Sequence, residues 1–235
     1  KPAPLFYYER HDYLLLIGRC HFFPGIWQQH CPNLSFSKRR AMKIYLIRHG
    51  ETDWNHELRF QGREDIPLNK AGIGQAEACG AALADAGLQA VYASPLKRAE
   101  LTGKIIAEKA GLDENRVYMI PELIERDLGR YSGRYIADGA DYFALSAGQD
   151  TEGMEPFKEV LRRMELAIYK ILQSGFSSVA AVSHGAAINV LLSGLSDNAV
   201  GTGKTRLYNG GISILEGDAE NGVRITACNI KPEDL

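Results

Sequence analysis

The chain has 235 residues, of which 45% are hydrophobic and 24% charged, and its formal net charge is −2. This composition is typical of a globular protein with a sizeable core, and the near-neutral charge gives no support for binding to nucleic acid or to a membrane. The four cysteines show no CxxC spacing and no run of 18 apolar residues is present, so we predict a cytoplasmic protein without a disulfide framework or a membrane span.

Residues 1–41 differ in composition from the rest of the chain. They contain eight of the 21 aromatic residues and carry a net charge of +4, against −6 for the remainder. The pairs Cys20-His21 and His30-Cys31 contain potential zinc ligands, but adjacent ligands lack the usual separation of about two to four residues. We therefore predict no metal site in this segment.

The first predicted strand leads directly into a pair of polar residues. Ile44 to Ile47 is a continuous apolar run, which is typical of a strand buried on both faces, and Arg48, His49 and Gly50 come directly after it. Ligands of open α/β sheets collect just beyond the carboxyl ends of strands. A guanidinium suits phosphate oxygens and a neutral imidazole can attack phosphorus, so Arg48 and His49 are candidate phosphate-binding and nucleophilic residues. The alternative is a surface arginine with a capping histidine.

A long loop and then a helix come after the first strand. The loop from Asp53 to Pro67 is long for an α/β connection, and such loops often carry binding residues. Asn69 is predicted to cap a helix that runs to about Gly87.

A second polar candidate comes after the next short strand, Gln89 to Ala93. Ser94 is predicted to cap a helix whose first residue is Pro95, which places Arg98 one turn inside the positive end of that helix. A phosphate would be favoured there, although an isolated helical arginine is more often simply exposed.

The second half of the chain continues the alternation of strand and helix. A strand over Arg116 to Ile120 ends at Pro121, and residues 130–153 are predicted to form a cover or a rim of the pocket. The remaining elements are a helix (Glu155 to Gln173), a strand (Ser178 to Val182) that leads into His184, a helix to about Leu195, and two strands (Ile212 to Glu216 and Val223 to Cys228) turning at Asn221-Gly222. The alternation predicts an α/β fold.

Five motifs, taken together and in order, resemble the signature of the histidine phosphatase superfamily, the phosphoglycerate mutase-like proteins. They are Leu46-Ile47-Arg48-His49-Gly50-Glu51-Thr52 with Asn55; Gln61-Gly62 with Pro67-Leu68-Asn69-Lys70-Ala71-Gly72; Ser94-Pro95-Leu96-Lys97-Arg98-Ala99; Glu125 with Gly129; and Val182-Ser183-His184-Gly185. The resemblance covers nearly the whole chain from Met42 onward.

The resemblance implies a three-layer α/β/α fold with a mostly parallel central sheet. It also implies a single domain over residues 42–235, because Met42 stands where members of the family begin. Residues 1–41 are then an N-terminal extension outside the fold. No cofactor is implied, and the expected partner is a small phosphorylated substrate, bound by a monomer or a homodimer.

The resemblance also assigns roles to individual residues. His49 would be the nucleophile that forms a phosphohistidine, and Glu125, four residues before Gly129, the proton donor. Glu122 is the fallback, because three carboxylates stand close together in this stretch. The residues that would bind the phosphoryl group or the substrate are Arg48, Arg98, His184, Asn55, Gln61 and Gly62. No metal is implied.

The choice between phosphatase and mutase depends on the length of the chain after the acid. Mutases of the family carry a long insertion after the catalytic glutamate, and this chain has only about 45 residues from Glu125 to the end of the helix near Gln173. We therefore predict hydrolysis, with a mutase or a non-enzymatic phosphate-binding scaffold as alternatives. Where many family phosphatases have Trp-Glu-Gly, this chain has Tyr131-Ser132-Gly133, so its pocket is expected to differ. Sugar phosphates, phosphoglycerates, a ribazole phosphate and nucleotides all remain candidate substrates.

Overall fold

The computed structural model describes residues 41–136 and 153–235, which contain a six-stranded sheet flanked by helices. The strands are β1 Met42–Arg48, β2 Ala90–Ala93, β3 Val117–Met119, β4 Ser178–Ser183, β5 Ile212–Asp218 and β6 Gly222–Ile230. The α-helices are α1 Asp53–His56, α2 Lys70–Ala82, α3 Lys97–Lys109, α4 Phe157–Leu172 and α5 Gly185–Leu195. Short 3₁₀ turns cover Glu114–Arg116, Pro121–Leu123, Gly129–Tyr131 and Pro232–Asp234.

The sheet is mostly parallel, with strand order β3-β2-β4-β1-β5-β6. β3, β2, β4 and β1 are parallel neighbours, whereas β5 pairs antiparallel with both β1 and β6. The carboxyl ends of β1, β2 and β4 therefore meet at one edge of the sheet. The predicted mostly parallel α/β fold is confirmed.

Helices pack on both faces of the sheet, which gives three layers. Alternate residues of β1 point to opposite faces, so Ile44 and Leu46 pack with side chains of α4 and α5, whereas Tyr45 and Ile47 pack with side chains of α2 and α3. This double burial is the reason that the strand lacks any alternation of polar and apolar residues.

Three of the element boundaries that differ from the sequence predictions have a clear physical reason. Helix α2 ends at Ala82 rather than near Gly87. The amides of Ala84 and Ala86 donate to carbonyls three residues earlier, instead of the four that an α-helix requires. Helix α4 begins after Pro156, because the residue before a proline is kept out of the helical region. The hairpin turn is the three-residue segment 219–221, stabilised by the Asp218 carboxylate, rather than a two-residue turn at Asn221-Gly222.

Two predictions fall on residues outside the described ranges. The N-terminal extension at residues 1–41 lies outside them except for Ala41, and so do residues 137–152 of the predicted cover. Both stay predictions. No helix in the two described ranges is both long enough and apolar enough to cross a membrane.

The loop after β1 lies against the first turn of α2 through two glycines. A Cβ on Gly50 would overlap the carbonyl of Gly72, and a Cβ on Gly72 would overlap the backbone of Glu51. The amide group of Asn69, which caps α2 as predicted, donates to the Glu51 carboxylate at 2.9 Å and so joins the same two segments. The loop after His49 is thus fixed against a helix by contact between backbones.

We expect the substitution Gly72→Ala to destabilise the protein by about 1–3 kcal/mol. The added methyl group would overlap the backbone of Glu51, which cannot move aside as a flexible side chain can. Urea unfolding measures the change. Gly74→Ala in the same helix is the matched control, since nothing lies within 4 Å of a Cβ added there. It should stabilise the protein by about 0.5–1 kcal/mol through helix propensity. Equal effects of the two substitutions would contradict the close approach.

Candidate active site

Three strands bring the predicted site residues to one edge of the sheet. The register pairs Arg48 at the end of β1 with Ser183 at the end of β4, and β4 lies beside β2. His49 and His184 come directly after β1 and β4, and their ring centroids are 5.1 Å apart with the planes at 57°. Both histidines are almost fully buried.

The imidazole of His49 has a defined tautomer. Its Nδ1 lies 2.6 Å from the carbonyl oxygen of Gly50, and a carbonyl can only accept, so Nδ1 carries the proton. Nε2 is then unprotonated, and its lone pair accepts a hydrogen bond from Arg98 Nε at 3.2 Å. Burial, followed by the charges of Arg98 and Arg48, holds the pKa of His49 well below its usual 6.5. The ring is therefore a neutral base that lies beside the guanidinium groups of Arg48 and Arg98, which together form a cationic cluster.

The guanidinium of Arg98 is fixed by backbone carbonyls. Nη1 donates to Glu64 at 2.6 Å and Nη2 donates to Gly62 at 2.8 Å, and the side chain is 1% exposed. Burial lowers the pKa of Arg98 to about 10, and Glu125 and Asp65 partly oppose this shift, so the group stays charged at neutral pH.

Arg98 is the second residue of α3 rather than one turn inside it, and the predicted Ser94 cap is wrong. Leu96 occupies the cap position without a side-chain cap bond. The hydroxyl of Ser94 is instead 2.7 Å from Nε2 of His184. Burial, followed by the charges of Arg98 and others nearby, holds the pKa of His184 well below 6.5.

The other ring nitrogen of His184, Nδ1, is buried and has no hydrogen-bond partner among the described residues. If Ser94 donates to Nε2, Nδ1 carries the proton and is a donor. Arg48 lies nearby, with its side chain over Gly185 and Nη1 donating to the carbonyl of Leu207 at 2.7 Å. A buried polar atom of this kind is well suited to a ligand.

Asn55 is oriented by its neighbours. Its Oδ1 accepts from the backbone amide of Thr52 and from Nδ2 of Asn209, both at 3.2 Å. Since Oδ1 receives these donors, the amide NH₂ of Asn55 points away from them as a donor. Asn209 Nδ2 also donates to the carbonyl of His49 at 3.1 Å.

The loop that carries Gln61 and Gly62 lies over Arg98. Gly62 has a φ of +52°, which favours glycine, and its carbonyl accepts from Arg98. Gln61 is buried, and its Oε1 has no hydrogen-bond partner among the described residues. Ser132, one of the three residues that depart from the family pattern, packs on Gly62.

The structure separates the two candidate carboxylates. Glu125 lies at the N-terminus of α5, where its carboxylate accepts from the amides of Ala187 at 2.9 Å and Ala186 at 3.2 Å. That helix begins directly after His184. Glu122 instead binds Lys170 of α4 at 2.5 Å. Of the two, only Glu125 is held beside the residues of the cationic cluster.

Sequence reasoning missed the residues that position the others. Thr102 accepts from the amide of Gly50 at 3.2 Å and donates to the carbonyl of Arg98 at 2.7 Å. Ser94 likewise contacts the ring of His184. Asn209 donates to Oδ1 of Asn55 and to the carbonyl of His49. Ser94 stands inside a recognised motif, but no sequence signal marks Thr102 or Asn209.

The chain matches proteins of one family along most of its length. A family model described as histidine phosphatase superfamily (branch 1) matches residues 44–231. An uncharacterised phosphatase of Bacillus subtilis (strain 168), PhoE, is 35% identical over 188 residues, which cover 80% of this chain and 94% of that protein. A probable phosphoglycerate mutase of Yersinia pestis (strain Pestoides F), GpmB, is 34% identical over 163 residues, or 66% of this chain and 74% of that protein.

Solved structures show the same likeness. A mycobacterial glucosyl-3-phosphoglycerate phosphatase matches with a TM-score of 0.69 and 25% identity over 81% of this chain and 99% of that chain. A phosphoserine phosphatase mutant from Entamoeba histolytica, in complex with phosphoserine, matches with a TM-score of 0.68 and 26% identity over 83% of this chain and all (100%) of that chain.

Proposed function

Because the chain belongs to the histidine phosphatase superfamily, we propose that it hydrolyses a small phosphomonoester without a metal, through a phosphohistidine on His49. The observation that carries this proposal is the state of the His49 ring. Attack on phosphorus requires a neutral imidazole, and here Nδ1 donates to a carbonyl while the unprotonated Nε2 faces the guanidinium of Arg98.

The groups around Nε2 match a phosphoryl group. Two guanidinium groups, Arg48 and Arg98, would offset the charge of the three equatorial oxygens, and Nδ1 of His184 and the NH₂ of Asn55 would add neutral donors. Phosphoryl transfer depends mainly on positioning and on electrostatic stabilisation. These groups are fixed by hydrogen bonds before any substrate arrives, so they need little reorganisation. Gln61 and Gly62 would complete the substrate pocket.

Glu125 would transfer the protons in both steps. In the first step Nε2 of His49 bonds to phosphorus, the bond to the ester oxygen breaks, and Glu125 gives its proton to the leaving alkoxide. In the second step Glu125 takes a proton from the water that attacks the phosphohistidine, which releases phosphate and restores the enzyme. Its position at the start of α5, beside His184, supports this role.

We expect His49 to remain neutral at pH 6, because burial and then Arg98 and Arg48 lower its pKa. The lowered pKa means that the nucleophilic form persists as the pH falls through 6.5, where a free histidine would protonate. The ¹⁵N chemical shifts of the His49 imidazole measure this directly, and they should keep the pattern of the Nδ1–H tautomer. Titration at or above pH 6.5 would contradict the proposed nucleophile.

The test of the function is hydrolysis in the presence of EDTA. Suitable substrates are p-nitrophenyl phosphate, phosphoserine and 3-phosphoglycerate, since relatives of similar structure are named for phosphoserine and glucosyl-3-phosphoglycerate. Release of phosphate with EDTA present supports a metal-independent phosphatase. Isomerisation of phosphoglycerate without net phosphate release would favour a mutase, in keeping with the likeness to GpmB. Binding of phosphate without either reaction would favour a scaffold.

The proposed substrate is a small phosphorylated molecule. We further propose, from composition, that the protein is cytoplasmic and binds neither nucleic acid nor membranes. Either a monomer or a homodimer is compatible with the site, because every residue assigned to it comes from one chain.

A further inference from the structure

Two arginines outside the phosphate-facing group bind the backbone around Glu125. Arg63 Nε donates to the carbonyl of Glu125 itself at 3.2 Å. Arg163 Nη1 donates to the carbonyl of Glu122 at 2.8 Å and also to that of Ile124. The segment that presents the proposed proton donor is thus held by guanidinium groups from two distant parts of the chain.

Glu155 joins these two arginines. Its Oε1 lies 2.8 Å from Arg163 Nε, and its Oε2 lies 3.0 Å from Arg163 Nη2 and 3.2 Å from Arg63 Nη2. The Asp127 amide also donates to Oε2, at 3.3 Å. Burial alone would raise the pKa of Glu155, but the hydrogen bond and charge of Arg163, with Arg63, outweigh it and lower the pKa. The carboxylate is therefore ionised at neutral pH and holds both arginines.

Arg63 also stands between the two residues that fix Arg98. The carbonyls of Gly62 and Glu64 accept from Nη2 and Nη1 of Arg98, while the side chain between them reaches the backbone of Glu125. One three-residue stretch thus contacts both the phosphate-binding arginine and the segment of the acid. The stretch is therefore a direct link between Arg98 and the backbone of Glu125.

We propose that Arg63, Glu155 and Arg163 form a positioning cluster that sets Glu125 relative to Arg98, and that Arg63 controls how well Glu125 protonates the leaving group. This inference rests on the proposed function. None of the three touches the phosphoryl group; they act through Glu125. A purely structural role for Arg63 would affect all substrates alike, which gives a way to distinguish the two.

The distinguishing property is the leaving group. Nitrophenolate is stable as an anion and departs without a proton, whereas an alkoxide needs the proton of Glu125. A displaced acid therefore slows the reaction of an alkyl phosphate and leaves that of an aryl phosphate nearly unchanged. The parameter to compare is kcat/KM, because it reports on the step in which the leaving group departs.

The experiment compares glycerol 3-phosphate with p-nitrophenyl phosphate for wild type, Arg63→Ala, Glu125→Gln and Arg224→Ala. Glu125→Gln removes the acid altogether and should therefore give the largest fall in the alkyl-to-aryl ratio of kcat/KM. General acid catalysis contributes about 10²–10⁴-fold. Arg63→Ala should lower the alkyl-to-aryl ratio of kcat/KM by about tenfold, since the acid is present but poorly placed. Arg224→Ala removes the same charge from β6, where the exposed Arg224 pairs with Glu216 of β5, and should leave the ratio unchanged.

Equal loss on both substrates, or no loss on either, would overturn the role of Arg63. If Arg63→Ala fails to fold, Arg63→Lys replaces it: the lysine keeps the charge beside Glu155 but cannot donate to Glu125 and Glu155 as a fork. It should lower the ratio in the same direction, and an unchanged ratio would overturn the proposal. Absence of hydrolysis of both substrates by the wild type would refute the proposed function itself.

Discussion

Replacing His49 by alanine is expected to reduce the turnover of p-nitrophenyl phosphate by at least about 10⁴-fold, because the substitution removes the proposed nucleophile. Nε2 of His49 faces Arg98, and Nδ1 is held by the carbonyl of Gly50. Direct attack by water would have to replace a nucleophile that is already desolvated and oriented. Steady-state hydrolysis with EDTA present measures the loss.

The matched control is His56→Ala, since His56 is an exposed histidine at the end of α1. It should keep wild-type activity. Rapid acid-free quenching of the wild type with ³²P-labelled substrate should trap an acid-labile, base-stable label, as a phosphohistidine requires, and His49→Ala should trap none. Wild-type turnover by His49→Ala would rule out the assigned nucleophile.

Replacing Arg98 by alanine is expected to reduce kcat/KM by about 10²–10³-fold, the cost of removing one preorganised group that stabilises transition-state charge. The substitution also leaves the carbonyls of Gly62 and Glu64 without their donor. Gly62 is buried, and an unsatisfied buried carbonyl costs about 1–3 kcal/mol, so the free energy of unfolding should fall as well. Activity must therefore be compared at a temperature at which both proteins are folded.

Two further substitutions separate charge from geometry at this position. Arg98→Lys keeps the positive charge but cannot bond His49, Gly62 and Glu64 together, so it should recover only a small part of the activity. Lys97→Ala removes the neighbouring exposed cation, which pairs with Asp65, and should cost little. Full activity of Arg98→Lys would show that charge alone is needed.

The strands were predictable from the sequence because their apolar runs are local. The run Ile44 to Ile47 is buried on both faces, as its lack of alternation indicates. The polar residues directly after β1 and β4 could also be identified, since both lie beyond strand ends. That these residues meet depends on β1 and β4 being neighbours, which single-strand patterns do not reveal.

The errors and omissions have a common physical cause in long-range contacts. Ser94 has the residue type and position of a helix cap, but its hydroxyl contacts His184 instead. Asn209 and Glu155 lie in irregular segments and act through partners far away in the chain. Apart from the family resemblance, sequence patterns likewise do not distinguish Glu122 from Glu125, because the difference lies in distant partners. Glu122 binds Lys170, whereas Glu125 accepts from amides at the start of α5.

The central place of β1 has a consequence for folding during synthesis. β1 is the first described strand to leave the ribosome, yet its two neighbours in the sheet are β4, which begins at Ser178, and β5, which begins at Ile212. Chain synthesis proceeds at about 5–20 residues per second, so both edges of this apolar strand remain unpaired for many seconds. Until then the nascent chain presents an aggregation-prone segment. The nucleophile is therefore among the first of the site residues to be made, but it can reach its final environment only when most of the chain has emerged.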